Sequence, residues 1–148
     1  MWRKPTEDDI VATLSMDEVE AFKASSNYKS ESDPIDVLAK RIAAYVRGYL
    51  STNGNIRMSP NEYEIPEATI SPAMDYLCVD ILKRLDIPVS DARKDARREA
   101  IAYFDKIASG RLTVESYGRG DDKETGGACA VVIQNARQRV SAGKLEGL

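Results

Sequence analysis

The forty residues Ser71–Gly110, SPAMDYLCVDILKRLDIPVSDARKDARREAIAYFDKIASG, constrain the fold more than any other stretch of the chain. Apolar residues recur at Met74, Leu77, Cys78, Ile81, Leu82 and Leu85, the i, i+3, i+4, i+7 stripe of a helix with one buried face. Ser71 is placed to cap this helix and Pro72 to occupy its first turn, where proline loses no N–H and its φ is already set. Pro88 marks the end, because the residue before a proline disfavours helical backbone. Ser90 then caps a second helix, with Asp91 near the positive end of its dipole. Its stripe, Ala96, Ala100, Tyr103, Phe104 and Ile107, runs to Gly110, which is suited to letting the chain leave. The stretch predicts a helical hairpin.

Upstream, Thr6 followed by Glu7, Asp8 and Asp9 is a cap with acids in the first turn, opening a short helix through Ile10, Val11 and Leu14. Ser15 and Glu18 have capping-box spacing and open a second, carrying Val19 and Phe22. These acids are explained by helix starts, and no calcium-loop spacing accompanies them. Ala24–Ser32 is a polar connector. Asp33-Pro34 opens a longer helix with Ile35, Leu38, Ile42, Val46 and Tyr49 on one side, widened by Tyr45 and Leu50, and ending near Ser51 before the Asn53-Gly54 turn signal. Lys40, Arg41 and Arg47 lie on its other side and read as a solvated face.

From Asn55 to Ile70 no period is sustained, and two prolines interrupt the stretch. A loop of that length suits either a surface excursion or an interface, with Tyr63 and Ile65 as its candidate contacts. Beyond a short extended segment at Arg111–Val114, the glycine-rich, charged stretch ESYGRGDDKETGGA predicts a flexible linker. Its Arg119-Gly120-Asp121 is a three-residue match without weight, and its glycines lack phosphate-loop spacing. The tail that follows carries a short β-branched run, Val131, Val132 and Ile133, then Arg137, Arg139, Val140, Lys144, Leu145 and Leu148. It is too short to form a core alone. Either it folds back or it adds to a neighbouring chain as a strand or hook, and the second reading is favoured. The expected organisation is a helical body over 1–115, a linker over 116–127 and an extended arm over 128–148.

Composition decides between function classes. The 148 residues contain no histidine, which removes the commonest general base, the Ser/His and Cys/His nucleophile pairs and the commonest metal ligand. No enzyme, cofactor or metal site is expected. With 21 basic against 24 acidic residues the chain lacks the basic footprint of a dedicated nucleic-acid binder. No apolar run approaches the roughly 18–20 residues of a membrane span, and the N-terminus lacks a signal-peptide core, so no membrane partner is expected. Cys78 and Cys129 form no disulfide or metal framework, which fits a reducing cytoplasm.

The fold expected is mainly α: a small bundle of four to five helices with a long loop and an extended C-terminal tail. The order of parts resembles a known family. An acidic helix pair precedes a long helix ending Tyr49-Leu50. A loop follows, then a helix with Cys78, Asp80 and Ile81, a charged helix ending AIAYFDKIASGRLTV, and a tail with Arg139-Val140 and Leu145-Glu146-Gly147-Leu148. This resembles the small virion proteins at the head–tail junction of Mu-like tailed bacteriophages, which are similar in turn to the helical head–tail adaptors of long-tailed phages. The chain departs from that family at STNGNIRMSPNEYEIP, where members carry arginine-tyrosine and proline-leucine segments, so a remodelled loop is expected.

The resemblance implies a structural protein assembled in the host cytoplasm and located in the virion. It would form a ring of about twelve copies with cyclic, head-to-tail contacts between neighbours. Its partners would be the portal protein above, a tail terminator or other neck protein below, and genomic DNA passing without sequence-specific contact. The alternative is a small helical DNA-binding or regulatory module using Ser90–Ala108, with Arg93, Lys94, Arg97 and Arg98. Against it, Asp91, Asp95, Glu99 and Asp105 interleave with those bases and are expected to neutralise them as i, i+4 pairs.

Overall fold

Helix starts in this chain are built by the side chains next to them. In a computed structural model, which describes residues 1–25 and 33–118, five α-helices are present among the described residues: α1 Glu7–Thr13, α2 Met16–Ser25, α3 Pro34–Thr52, α4 Ile70–Arg84 and α5 Asp91–Ala108. At α1 the Thr6 hydroxyl accepts from the Asp9 amide at 3.4 Å while the Asp9 carboxylate accepts from the Thr6 amide at 2.8 Å. The same reciprocal pair, Ser15 with Glu18, opens α2 at 3.3 and 2.9 Å. Asp33 accepts from Ile35 N at 3.0 Å before α3, and Ser90 from Arg93 N at 3.4 Å before α5. Each satisfies an amide that the helix leaves without a partner.

The start of α4 differs from the sequence expectation. Ser71 is not its cap but its second residue, because a 3₁₀ turn at Glu67–Thr69 feeds directly into the helix at Ile70. The Thr69 hydroxyl bonds back to the Pro66 carbonyl at 2.6 Å and caps nothing. Pro72 is still tolerated, since the first four amides of a helix have no acceptor within it. The end differs too. The helix ends at Arg84, short of Pro88, and Asp86 just beyond its cap has a left-handed φ of 55°. Ile87 N donates to Leu82 O at 3.0 Å and Asp86 N to Lys83 O at 3.2 Å, the paired closing bonds of a Schellman motif. The end of α5 is as expected, with Gly110 at φ 78°.

The stripes meet in one core. Ile10 of α1, Phe22 of α2, Leu38, Ile42, Val46 and Leu50 of α3, Met74, Leu77 and Ile81 of α4, and Ala100, Phe104 and Ile107 of α5 are all buried in it. Phe104 lies 6.1 Å from the Tyr45 ring and 5.6 Å from Tyr49, and Tyr45 stacks on Tyr76 at 4.3 Å. Asn53, read from sequence as turn chemistry, is a buried tie. Its amide group donates to Ile107 O at 2.9 Å and its side-chain oxygen accepts from Asn55 N at 3.1 Å, joining the end of α3 to the end of α5.

The stretch 55–70 is not structureless. Strand β1, Trp2–Arg3, pairs antiparallel with β2, Ile65–Pro66, placing Trp2 opposite Pro66 and Arg3 opposite Ile65. Arg111–Val114 forms no strand. On α5 the bases are neutralised differently from the i, i+4 expectation. Arg98 pairs with Asp95 at 3.1 Å and Lys94 lies 3.9 Å from Asp91, both at i, i+3. Arg97 reaches Asp80 of α4 at 3.1 Å with its guanidinium 4.4 Å over the Tyr76 ring, and Arg93 reaches Glu18 of α2 at 2.7 Å.

Candidate functional site

Arg47 organises the surface around the long loop. Its place on α3, facing away from the main stripe, suggested a solvated base, but its guanidinium is committed to backbone. Nη1 donates to Asn61 O at 3.0 Å and Glu64 O at 2.9 Å, and Nη2 donates to Ser59 O at 2.8 Å. One planar fork with several N–H groups can hold a chain reversal that no strand ladder supports. Inside the loop, the Ser59 hydroxyl donates to Glu64 at 2.6 Å, and Tyr63 N donates to Asn61 Oδ1 at 3.1 Å.

Above Arg47 lies the Trp2 indole, 6.0 Å from the guanidinium carbon. Trp2 connects the loop to the start of the C-terminal linker. Its Nε1 donates to Glu115 O at 2.8 Å, and its ring meets Tyr117 edge-on at 6.2 Å. Tyr117 N donates to Arg57 O at 2.8 Å, and Arg57 N donates to the Ser116 hydroxyl at 3.2 Å. Ser116 and Tyr117, the first residues of the expected linker, are therefore held against the loop.

Of the predicted contact residues, Ile65 is a correction. It is fully buried in β2 and belongs to the core, so it presents nothing to a partner. Tyr63 is half-buried at the surface, with Lys40 Nζ 5.2 Å over its ring. Val131, Val132, Ile133, Arg137, Arg139, Val140, Leu145 and Leu148 lie outside the described residues, as do residues 26–32, most of the linker and Arg119-Gly120-Asp121.

A second concavity, a groove of about 570 Å³, runs between α4 and α5 and is lined by Pro72, Asp75, Ala96, Glu99, Tyr103 and Leu112 among others. Asp75 is desolvated there, and that burial, with the nearby Glu99 charge, pushes its carboxyl above the ordinary 3.8. Burial likewise raises the Tyr103 hydroxyl. The opposite case is Asp9, held far below the ordinary carboxylate range, first by hydrogen bonding from Arg3 at 2.7 and 2.9 Å. Cys78 is buried, its thiol raised by desolvation and directed at Thr13 O at 3.7 Å. Among the described residues no group of three His, Cys, Asp or Glu side chains is placed to hold a metal ion, and no helix is long and apolar enough to cross a membrane.

The described surface thus holds a clamped loop, an anchored linker start and an acid-rimmed groove. No protein-family model, curated protein or solved structure matches the chain.

Proposed function

We propose that this chain is a structural virion protein of a Mu-like tailed phage, a connector without catalysis that forms a ring below the portal and joins the head to the tail. The observation that carries the reading is the anchored start of the linker that leads to the arm. Glu115, Ser116 and Tyr117 are tied to Trp2 and Arg57 immediately before a linker and an apolar, basic tail. A segment leaving from a fixed point meets a neighbouring surface at a higher effective concentration than one hung from a frayed end. In a ring, one surface of each subunit meets a different surface of the next, and a body with a separate arm supplies both.

The order of parts and the quoted motifs support the same reading. The DNA-binding alternative is weakened on α5, where Arg93, Arg97 and Arg98 are engaged by Glu18, Asp80 and Asp95. The deciding experiment is electron microscopy with native mass spectrometry on the protein alone and mixed with the portal protein of the same phage. A ring seated on the portal is the expected result. A monomer indifferent to the portal, binding duplex DNA with an affinity that falls steeply with salt, would replace the connector by the second class.

A further inference from the structure

The groove between α4 and α5 has an apolar floor and an acidic rim without a matching cation. Ala100 is buried at its base, with Ala96, Tyr103 and Leu112 beside it, while Asp75 and Glu99 stand together on one side and Lys106 lies at the far end, two turns of α5 beyond Glu99. Asp80, Asp91 and Asp95 of the same hairpin have cationic partners. Asp75 has no salt-bridge or hydrogen-bond partner among the described residues, and the charge acting on it is the repulsive one of Glu99. Such an arrangement suits an extended segment with apolar side chains followed by bases.

The chain contains one such segment. From Ala130 to Lys144 it reads AVVIQNARQRVSAGK, with four consecutive apolar residues, then Arg137, Arg139 and Lys144, and no acid. The distance from Gly118 to Val131 is thirteen residues, which extended can span at most about 45 Å, enough to reach an adjoining subunit. We propose that the groove of one copy receives the arm of the next, Ala130–Ile133 lying on the apolar floor and Arg137 and Arg139 facing Asp75 and Glu99. The proposal rests on the ring reading, because a head-to-tail ring needs one surface to meet a different one on its neighbour, and the groove and the arm are such a pair.

The test uses full-length protein in two differently tagged forms, mixed at high concentration. One carries Ala102→Cys, exposed on α5 beside the groove, together with Cys129→Ser; the other keeps the natural Cys129 at the start of the arm. Cys78 is buried and identical in both. With a short bismaleimide, a cross-link between the two tagged forms is expected, and Glu99→Lys in the groove-bearing form should lower its yield about fivefold. Arg137→Glu with Arg139→Glu in the other form should restore the yield. No cross-link between the forms, or a cross-link indifferent to these reversals, overturns the proposal. So does a cross-link that forms only within one chain of a third variant carrying Ala102→Cys with the natural Cys129, and not between the two tagged forms. The outcome is separate from that of the connector reading: cross-linked copies that ignore the portal would leave the groove–arm contact standing, whereas a portal-bound ring without the cross-link would remove it.

Discussion

The Arg93 guanidinium grips both carboxylate oxygens of Glu18, at 2.7 and 2.9 Å, across a sequence separation of seventy-five residues. It ties the first turn of α5 to the first turn of α2, and Glu18 also closes the capping box with Ser15. A partly buried, bidentate pair exceeds the usual surface ion pair. Glu18→Gln is expected to lower the unfolding free energy by about 1–2 kcal/mol. A double-mutant cycle with Arg93→Ala, followed by urea denaturation, should return a coupling of about 1 kcal/mol. A coupling near zero would show that the fork is not what holds α2 in place.

Acid sensitivity follows from groups of opposite sign. Asp9 and Glu18 are held below their ordinary values of 3.8 and 4.5, first by hydrogen bonds from Arg3 and Arg93. Such carboxylates contribute stability that is fully present above the unfolded-state value and lost as pH falls through the folded one. The unfolding midpoint should therefore decline as pH drops below about 4.5. Asp75 runs the other way: its raised pKa means that its charge weakens the fold at neutral pH and protonation relieves the strain. Asp75→Asn should be more stable than the parent at neutral pH, with the gain shrinking on acidification. Equal stability of the two at neutral pH would contradict the desolvated groove.

Arg47→Ala removes the donors for three backbone carbonyls at once. A loss of about 2 kcal/mol is expected, with Arg47→Lys restoring only part because an ammonium lacks the planar fork. Amide hydrogen exchange should quicken over residues 59–64 first, ahead of the helices. Uniform quickening across α3–α5 would mean that the loop has no separate opening.

Asn53→Ala removes one of the donors to the Ile107 carbonyl, which keeps its bond from Gly110 N at 3.0 Å, and removes the acceptor of the Asn55 amide. The loss of the two side-chain bonds costs about 1–2 kcal/mol, measurable as a shift in thermal midpoint. A shift indistinguishable from zero would mean that water reaches both groups.

Ending the chain at Gly118 should leave the stability of the body unchanged and abolish self-assembly. Ending it at Thr113 removes the Glu115 carbonyl from Trp2 and the Tyr117 ring from the same indole, and should cost about 1–3 kcal/mol. Equal urea midpoints for the two truncations would refute the anchoring of the linker's start; assembly by the chain ending at Gly118 would refute the arm's role.

Sequence reading succeeds here where the physics is local. Thr6, Ser15, Asp33 and Ser90 each cap a helix within three residues of themselves, and the stripes from Leu38 to Leu50 and Met74 to Ile81 become the core. It fails where an acceptor carries no signature. The three carbonyls on Arg47 could belong to any residue types, so an arginine off the main stripe gave no sign of its task. Ser71 misled because cap chemistry alone does not reveal that a preceding 3₁₀ turn already feeds the helix. Ile65 misled because its side chain joins the core from a two-residue strand that pairs with Arg3, sixty-two residues away, and has no period to detect. Arg93 and Arg97 look like members of a self-neutralised helix until α2 and α4 are brought beside them.

Arg47 reads backbone oxygens of the 59–64 turn, and the side chains of Ser59, Asn61 and Glu64 bond within it, so its shape does not depend on the remaining residues it displays. Exposed positions there, such as Pro60 and Glu62, can change under selection without altering the path of the chain. This turn is therefore a place where the surface can be rewritten while the architecture stays constant, held by one arginine on α3 together with Ser59, Asn61 and Glu64.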